Sequence, residues 1–218
     1  MTCIRVVFDL DGTLIDSAPD ICAVANGLLK PLGAQITLAQ THQFIGNGVS
    51  VFIQRMLAAL GLPSDQHDVL LPQFKQAYLT AFTRTQPYPG VLKALAQLQG
   101  AGHGVGICTN KPLAPTHAVL DHLQLAPYFE TVWGGDSLAV HKPDPAPLQA
   151  ALGSLGSGPC IYVGDSEVDA ETAQSAQVPF LLYTEGYRKT PVSAIPHTAA
   201  FDNFDVLAAL VTRYAVSR

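Results

Sequence analysis

The sequence predicts an α/β protein: a parallel sheet covered by helices on both faces, with an all-helical block inserted after the first strand. Three observations predict it. From residue 91 onward, short apolar runs alternate with segments of helical periodicity, the pattern of a parallel sheet built from crossover units. Residues 18–85 carry helical spacing throughout and no convincing strand. The opening run Val6-Val7-Phe8 stops at Asp9-Leu10-Asp11-Gly12, so a strand that reads as buried ends on two carboxylates.

Taken in order, residues 4–8 are apolar enough for a central strand. Ile21, Val24, Leu28 and Leu32 then recur at helical spacing, as do Val49, Phe52, Ile53, Met56, Leu57 and Leu60. A shorter helical stretch, residues 38–45, lies between them. Ser64 is placed to cap a longer helix through Leu70, Phe74, Tyr78 and Ala81. Gln86-Pro87-Tyr88-Pro89-Gly90 is a stiff, helix-breaking return. Beyond it the reading is helix 91–98, strand 104–108, helix 115–123, strand 131–133, helix 146–152, strand 160–163, helix 167–176, strand 180–183 and a closing helix 203–214. Residues 153–159 form a flexible loop.

With 218 residues, 48% of them hydrophobic, the chain can bury a sizeable core. Only 13% of residues are charged and the net charge is −5, so no basic footprint for nucleic acid is expected. No apolar run reaches membrane-spanning length and no signal-peptide pattern opens the chain, so neither membrane nor export is expected. Cys3, Cys22, Cys108 and Cys160 lack paired metal spacing. Three of them fall in predicted strands, where they read as small reduced core residues of a cytoplasmic protein.

Ligands of parallel sheets bind beyond the carboxyl ends of the strands, and four such ends carry unusual residues here. The first has Asp9 and Asp11, which share one side of an extended segment with Leu10 opposite. The second has Thr109-Asn110-Lys111. Lys142 follows the third, within His141-Lys142-Pro143. The fourth has Gly164-Asp165-Ser166-Glu167-Val168-Asp169. Carboxylates this dense repel one another and call for a hard cation, for which carboxylates without histidine or thiolate partners favour magnesium. Singly, each motif also reads as a turn, a helix cap or a solvated loop. Four in order, each at a strand end, do not.

In that order the segments Asp9-Leu10-Asp11-Gly12-Thr13, Thr109-Asn110-Lys111, Lys142-Pro143 and Gly164 to Asp169 resemble the four motifs of the haloacid dehalogenase-like phosphohydrolases. The resemblance covers the whole chain. It implies a Rossmann-like core of residues 1–16 and 86–218 carrying a helical cap of residues 17–85. It implies Asp9 as the nucleophile, Asp11 as acid–base, and magnesium held by Asp9, the backbone carbonyl of Asp11 and Asp165. It also implies Thr109 as phosphoryl holder and Lys142 as the partner of Asp9, with Gly12, Thr13, Asn110, Gly164 and Asp169 in support. Dehalogenases of this family lack an acid where Asp11 stands, so a phosphate ester is the expected substrate.

The cap carries Ile45-Gly46-Asn47-Gly48 ahead of a helix containing Arg55. Glycines before a helix free backbone amides for an anion, and an arginine adds fixed charge. With Thr184-Glu185-Gly186-Tyr187-Arg188, this stretch is similar to phosphoglycolate phosphatases, making Gly46, Asn47, Gly48 and Arg55 candidate contacts for a substrate carboxylate. The same glycines could equally shape a helix–helix corner. Tyr78 and Tyr88 read as core or hinge residues, and His141 as a loop residue. The expected partner is a small phosphorylated metabolite, and the expected assembly a monomer or homodimer. Other readings are a phosphatase for sugar phosphates, nucleotides or pyrophosphate, a β-phosphoglucomutase-like mutase, or a non-catalytic binder. A mutase usually brings a cap histidine near the first motif, and none precedes His42.

Overall fold

The computed structural model describes residues 3–215; positions 1–2 and 216–218, which fall in the predicted core segments, lie outside the described residues. Six strands form one parallel sheet: β1 (Arg5–Phe8), β4 (Gly104–Cys108), β5 (Thr131–Trp133), β6 (Cys160–Gly164), β7 (Phe180–Tyr183) and β8 (Ala199–Phe201), in the order β5-β4-β1-β6-β7-β8. In register, Phe8 lies beside Ile107 of β4 and Val163 of β6. The residues that follow these three strands are therefore neighbours in space. That adjacency builds the site.

Buried on both faces, β1, β4, β6 and β7 show no polar alternation. Val6 and Phe8 pack with Leu95 and Leu98 of α5 (Val91–Gly100), with Val119 and Leu120 of α6 (Leu113–His122), and with Leu207 and Val211 of α9 (Leu207–Tyr214). Val7, between them, turns to the other face. There it meets Leu148 and Ala151 of α7 (Ala146–Ser154) and Ala170 and Ala173 of α8 (Glu167–Ala176).

The inserted block consists of α1 (Ala18–Leu29), α2 (Leu38–Phe44), α3 (Gly48–Leu60) and α4 (Gln66–Tyr78). It has its own core, in which Phe52, Phe74 and Tyr78 pack with tilted rings, successive centroids 5.4 Å apart. Phe74 is 2% exposed, so Phe74→Ala is expected to lower stability by about 3–5 kcal/mol. The urea midpoint measures this, and a loss below about 1 kcal/mol would show a core able to collapse around the gap.

The two connections to this block pair as a ribbon, β2 (Ile15–Asp16) antiparallel to β3 (Gln86–Pro87). Asp20 ties them further, accepting from the Arg84 amide and the Thr85 hydroxyl, both at 2.8 Å.

Several sequence expectations change. Cys3 is exposed, because β1 begins only at Arg5. Ser64 does not cap α4: the helix begins at Gln66, has no side-chain cap bond at Asp65 and ends at Tyr78, short of Ala81. Leu32 falls outside α1 in a separate turn and is 38% exposed. β8 and the linker ribbon were not expected. The closing helix opens with a 3₁₀ turn, Phe204–Val206. Arg5, expected only as part of a strand, is buried, and its guanidinium donates to the carbonyls of Leu152, Gly156 and Gly158 at 3.2, 3.0 and 2.6 Å. It thereby closes the loop onto the sheet, a loop shortened to residues 155–159 because α7 runs on to Ser154.

Candidate active site

A cavity lies between the carboxyl edge of the sheet and the helical block. Asp9, Asp11, Thr109, Asn110, Lys111, Lys142, Asp165 and Asp169 line it from the sheet side, and Gly46, Gly48, Phe52 and Tyr78 from the helical side. The four strand-end motifs thus meet around one space.

Asp9 continues β1, its amide donating to the Val163 carbonyl at 2.9 Å. Leu10 turns fully into the core. The chain then folds over so tightly that the amides of Thr13, Leu14 and Ile15 all donate to the Leu10 carbonyl. Gly12 makes this possible. Its φ is +90°, and a Cβ there would lie 2.6 Å from Asp165 Oδ2 and 2.7 Å from the Tyr187 ring, so only glycine fits. Thr13 donates its hydroxyl to Asp165 Oδ1 at 2.8 Å, and the Tyr187 amide donates to Oδ2 at 2.6 Å.

Lys142 sits between two acids, 2.8 Å from Asp9 Oδ1 and 2.7 Å from Asp169 Oδ1, and it also reaches the Tyr162 hydroxyl at 2.8 Å. Burial works against its charge, but Asp169 and Asp9 outweigh burial and hold its pKa above the ordinary value. Asp169 is anchored at its other oxygen by Ser166, which caps α8 in a reciprocal capping box. Burial would raise Asp169, yet Lys142 and these hydrogen bonds lower it. Asp9 behaves oppositely: burial raises it from 3.8 to about 7, against the pull of Lys142. Asp165 is pushed well above its ordinary range by burial and by the charges of Asp169 and Asp9.

This chemistry fits a cation. Carboxylate oxygens of Asp9, Asp165 and Asp169 lie within 4.8 Å of one another. Asp169 is spent on Lys142, Tyr162 and Ser166. Asp165 has only neutral donors and no ion pair among the described residues. Asp9 and Asp165 thus share a buried excess of negative charge that a hard divalent ion would relieve.

A pH dependence follows. Because the fold raises the Asp9 pKa from 3.8 to about 7, the folded protein binds more protons than the unfolded chain. Stability from this group is therefore greatest in acid and falls as pH rises through that window. In chelator, the thermal midpoint is expected to fall between about pH 5.5 and about pH 7.5, and added magnesium to stabilise more at the upper end. A chelator midpoint that is flat or rising there would contradict the assignment.

Asp11 accepts from the Ser17 hydroxyl at 2.5 Å and from Lys111 Nζ at 3.2 Å. The Lys111 ammonium also donates to the Tyr78 hydroxyl and lies 4.0 Å from that ring's centroid. Burial lowers the Lys111 pKa, with Asp11 opposing. Tyr78 is the core residue expected and, in addition, a wall of the site. Thr109 is buried, its amide donating to the Trp133 carbonyl and its hydroxyl oxygen accepting from the Lys111 amide.

Two donors from the sheet side hold the loop between α2 and α3. Asn110 Nδ2 donates to the Gly46 carbonyl at 3.0 Å, and Lys189 Nζ to the Ile45 carbonyl at 2.8 Å. Gly46 and Gly48 take φ values of +120° and +82°. Arg55 departs from expectation. Its guanidinium donates to the Phe44 carbonyl at 3.1 Å and to Asn47 Oδ1 at 2.8 Å, and it is not among the residues lining this cavity. Asn47 and His141 line a neighbouring cavity instead. His42 stacks on Tyr187, centroids 4.9 Å apart.

Lys111, Tyr78, Tyr162, Tyr187 and Lys189 complete the surroundings beyond the residues singled out in the sequence. Lys111 and Tyr187 stood within quoted motifs, where position in the motif was the available signal. Tyr162 lies inside β6, where it reads as one more apolar strand residue, although its hydroxyl reaches Lys142 and Asp169, both at 2.8 Å.

An acid pair, a lysine bridging two carboxylates and a buried cation-seeking cluster at the edge of a parallel sheet define an enzyme that works on phosphate esters. The sequence model of the family described as "Haloacid dehalogenase-like hydrolase" matches residues 6–183, and the chain belongs to that family. Among its relatives, the phosphoglycolate phosphatase of Cereibacter sphaeroides is 47% identical over 212 residues, covering 95% of this chain and 97% of the relative. That of Rhodobacter capsulatus is 42% identical over 209 residues, covering 94% and 95%. A crystal structure of a predicted phosphoglycolate phosphatase from Haemophilus somnus superposes with a TM-score of 0.87 at 30% identity, covering 94% of this chain and 96% of the other.

Proposed function

We propose that the protein is a magnesium-dependent phosphomonoesterase that hydrolyses 2-phosphoglycolate through an aspartyl-phosphate on Asp9. The observation that carries the chemistry is the Asp9 carboxylate 2.8 Å from Lys142, with a second acid, Asp11, in the same cavity. The substrate rests on the relatives named above. Residues 1–16 and 86–218 serve as catalytic core and residues 17–85 as cap.

Asp9 attacks phosphorus while Lys142 orients the attacking oxygen and balances its charge. Asp11 gives a proton to the departing alkoxide, then removes one from the water that hydrolyses the aspartyl-phosphate. The Thr109 hydroxyl holds a phosphoryl oxygen. Magnesium would be held by Asp9, Asp165 and the backbone carbonyl of Asp11, and supplies positive charge where the transferring group spreads its own. The cap, clasped by Asn110 and Lys189, excludes bulk water. No helix among the described residues is long and apolar enough to cross a membrane, and the reading includes a cytoplasmic location.

The test is a panel of small phosphate esters with magnesium. Phosphoglycolate is expected to show the highest kcat/KM, and a sugar phosphate or nucleotide in its place would overturn the substrate. Asp165→Ala is expected to raise the magnesium requirement steeply, and chelator to silence the parent enzyme. Calcium should inhibit, since its larger and looser shell spoils in-line geometry. Full activity in excess chelator would end the metal-assisted reading.

A further inference from the structure

The cavity contains three lysines, and their partners separate them. Lys142 is held by Asp9 and Asp169. Lys189 is held by the Ile45 carbonyl and is exposed. Lys111 is buried, its side chain 3% exposed, and its ammonium lies 3.2 Å from Asp11 Oδ1. Arg55 is occupied by Phe44 and Asn47.

We infer that Lys111 is the specificity-determining residue that recognises a carboxylate one methylene removed from the ester oxygen. The inference rests on the phosphomonoesterase reading above and names the group that selects the acid. Its basis is a circuit of distances. The Asp11 carboxyl must lie about 2.7 Å from the leaving oxygen to protonate it. Three bonds separate that oxygen from a carboxylate oxygen of a two-carbon acid, a span of about 2.7–3.7 Å. An ammonium–carboxylate contact adds about 2.8 Å. The observed 3.2 Å from Lys111 back to Asp11 is short enough to close the loop. Tyr78 sets the length. Its ring centroid lies 4.0 Å from Lys111 Nζ and walls off the helical side, so a longer tail carries its anionic group past the ammonium or strikes the ring.

The test is binding, which separates recognition from the proton chemistry of Asp11. In an Asp9→Asn background with magnesium, phosphoglycolate and 2-hydroxyethyl phosphate, its uncharged counterpart of equal length, are titrated calorimetrically. Adding Lys111→Met is expected to weaken the acid by on the order of 30- to 300-fold and the neutral ester far less, with Lys111→Arg restoring part of the difference. Lys111→Gln serves if the methionine variant does not fold. Equal loss on both esters would overturn the inference, leaving Lys111 as a support for Asp11 and Tyr78. So would a selective loss found in Lys189→Met and not at Lys111. If the parent enzyme prefers another short acidic ester and Lys111→Met loses selectively on that one, the inference stands and the phosphoglycolate assignment falls. If the parent handles neutral esters as well as acids, the inference falls while the phosphatase chemistry remains.

Discussion

Asp9→Asn is expected to reduce magnesium-dependent turnover by on the order of 10⁴-fold or more while leaving the fold intact. Asparagine matches the shape of aspartate but cannot form an acyl phosphate, so the reaction loses its first step. The fold should tolerate the change for a reason visible in the contacts. Lys142 keeps Asp169 at 2.7 Å, so no buried cation is orphaned, and the crowded carboxylate cluster loses one charge that burial already disfavours. Steady-state kinetics with thermal unfolding of the same samples decides this. Retained turnover would move the nucleophile elsewhere; lost folding would make Asp9 a structural residue first.

Lys142→Ala is expected to fail in both respects. Its side chain is 3% exposed and pairs at once with Asp9 and Asp169. Removing one partner of a buried ion pair leaves uncompensated charge, which costs about 3–5 kcal/mol, and here two carboxylates lose their cation together. Turnover should be lost with it, because Asp9 is no longer oriented. The instability should also depend on pH. Without Lys142, both acids can lower their penalty by taking up protons, so the deficit in urea midpoint is expected to be smaller at about pH 5 than at about pH 8. An equal deficit at both would trace the loss to the Tyr162 hydroxyl contact or to the empty volume.

The four strand-end motifs were legible because chemistry demands particular residue types there. Apolar strands buried on two faces do not end on Asp9, Asp11, Asp165 and Asp169 without a reason, and strand alternation already placed Asp9 and Asp11 on one side. The helices were legible from apolar spacing, and five of the strands matched within a residue at each end. β8 was not: Ala199 and Ala200 carry little strand preference, and the edge position leaves Ala200 exposed. Ser64 misled because a capping residue type stood near the right place, whereas α4 begins without any side-chain cap.

By itself, then, the sequence determined the α/β core, the helical insertion and the set of residues able to carry phosphoryl chemistry, since local periodicity and motif order encode these. Tertiary structure alone decided how the helical block faces the sheet. Arg55 and Lys111 are both cations beside suggestive motifs. Arg55 turns back to the carbonyl of Phe44 and the amide oxygen of Asn47, while Lys111 reaches 3.2 Å from Asp11 under the ring of Tyr78. Helical phase tells which side a residue leaves from, but a charged group settles against whichever partners the packed elements bring within about 3 Å, and contacts between Lys111 and residues 11 and 78 exist only once the chain has closed on itself.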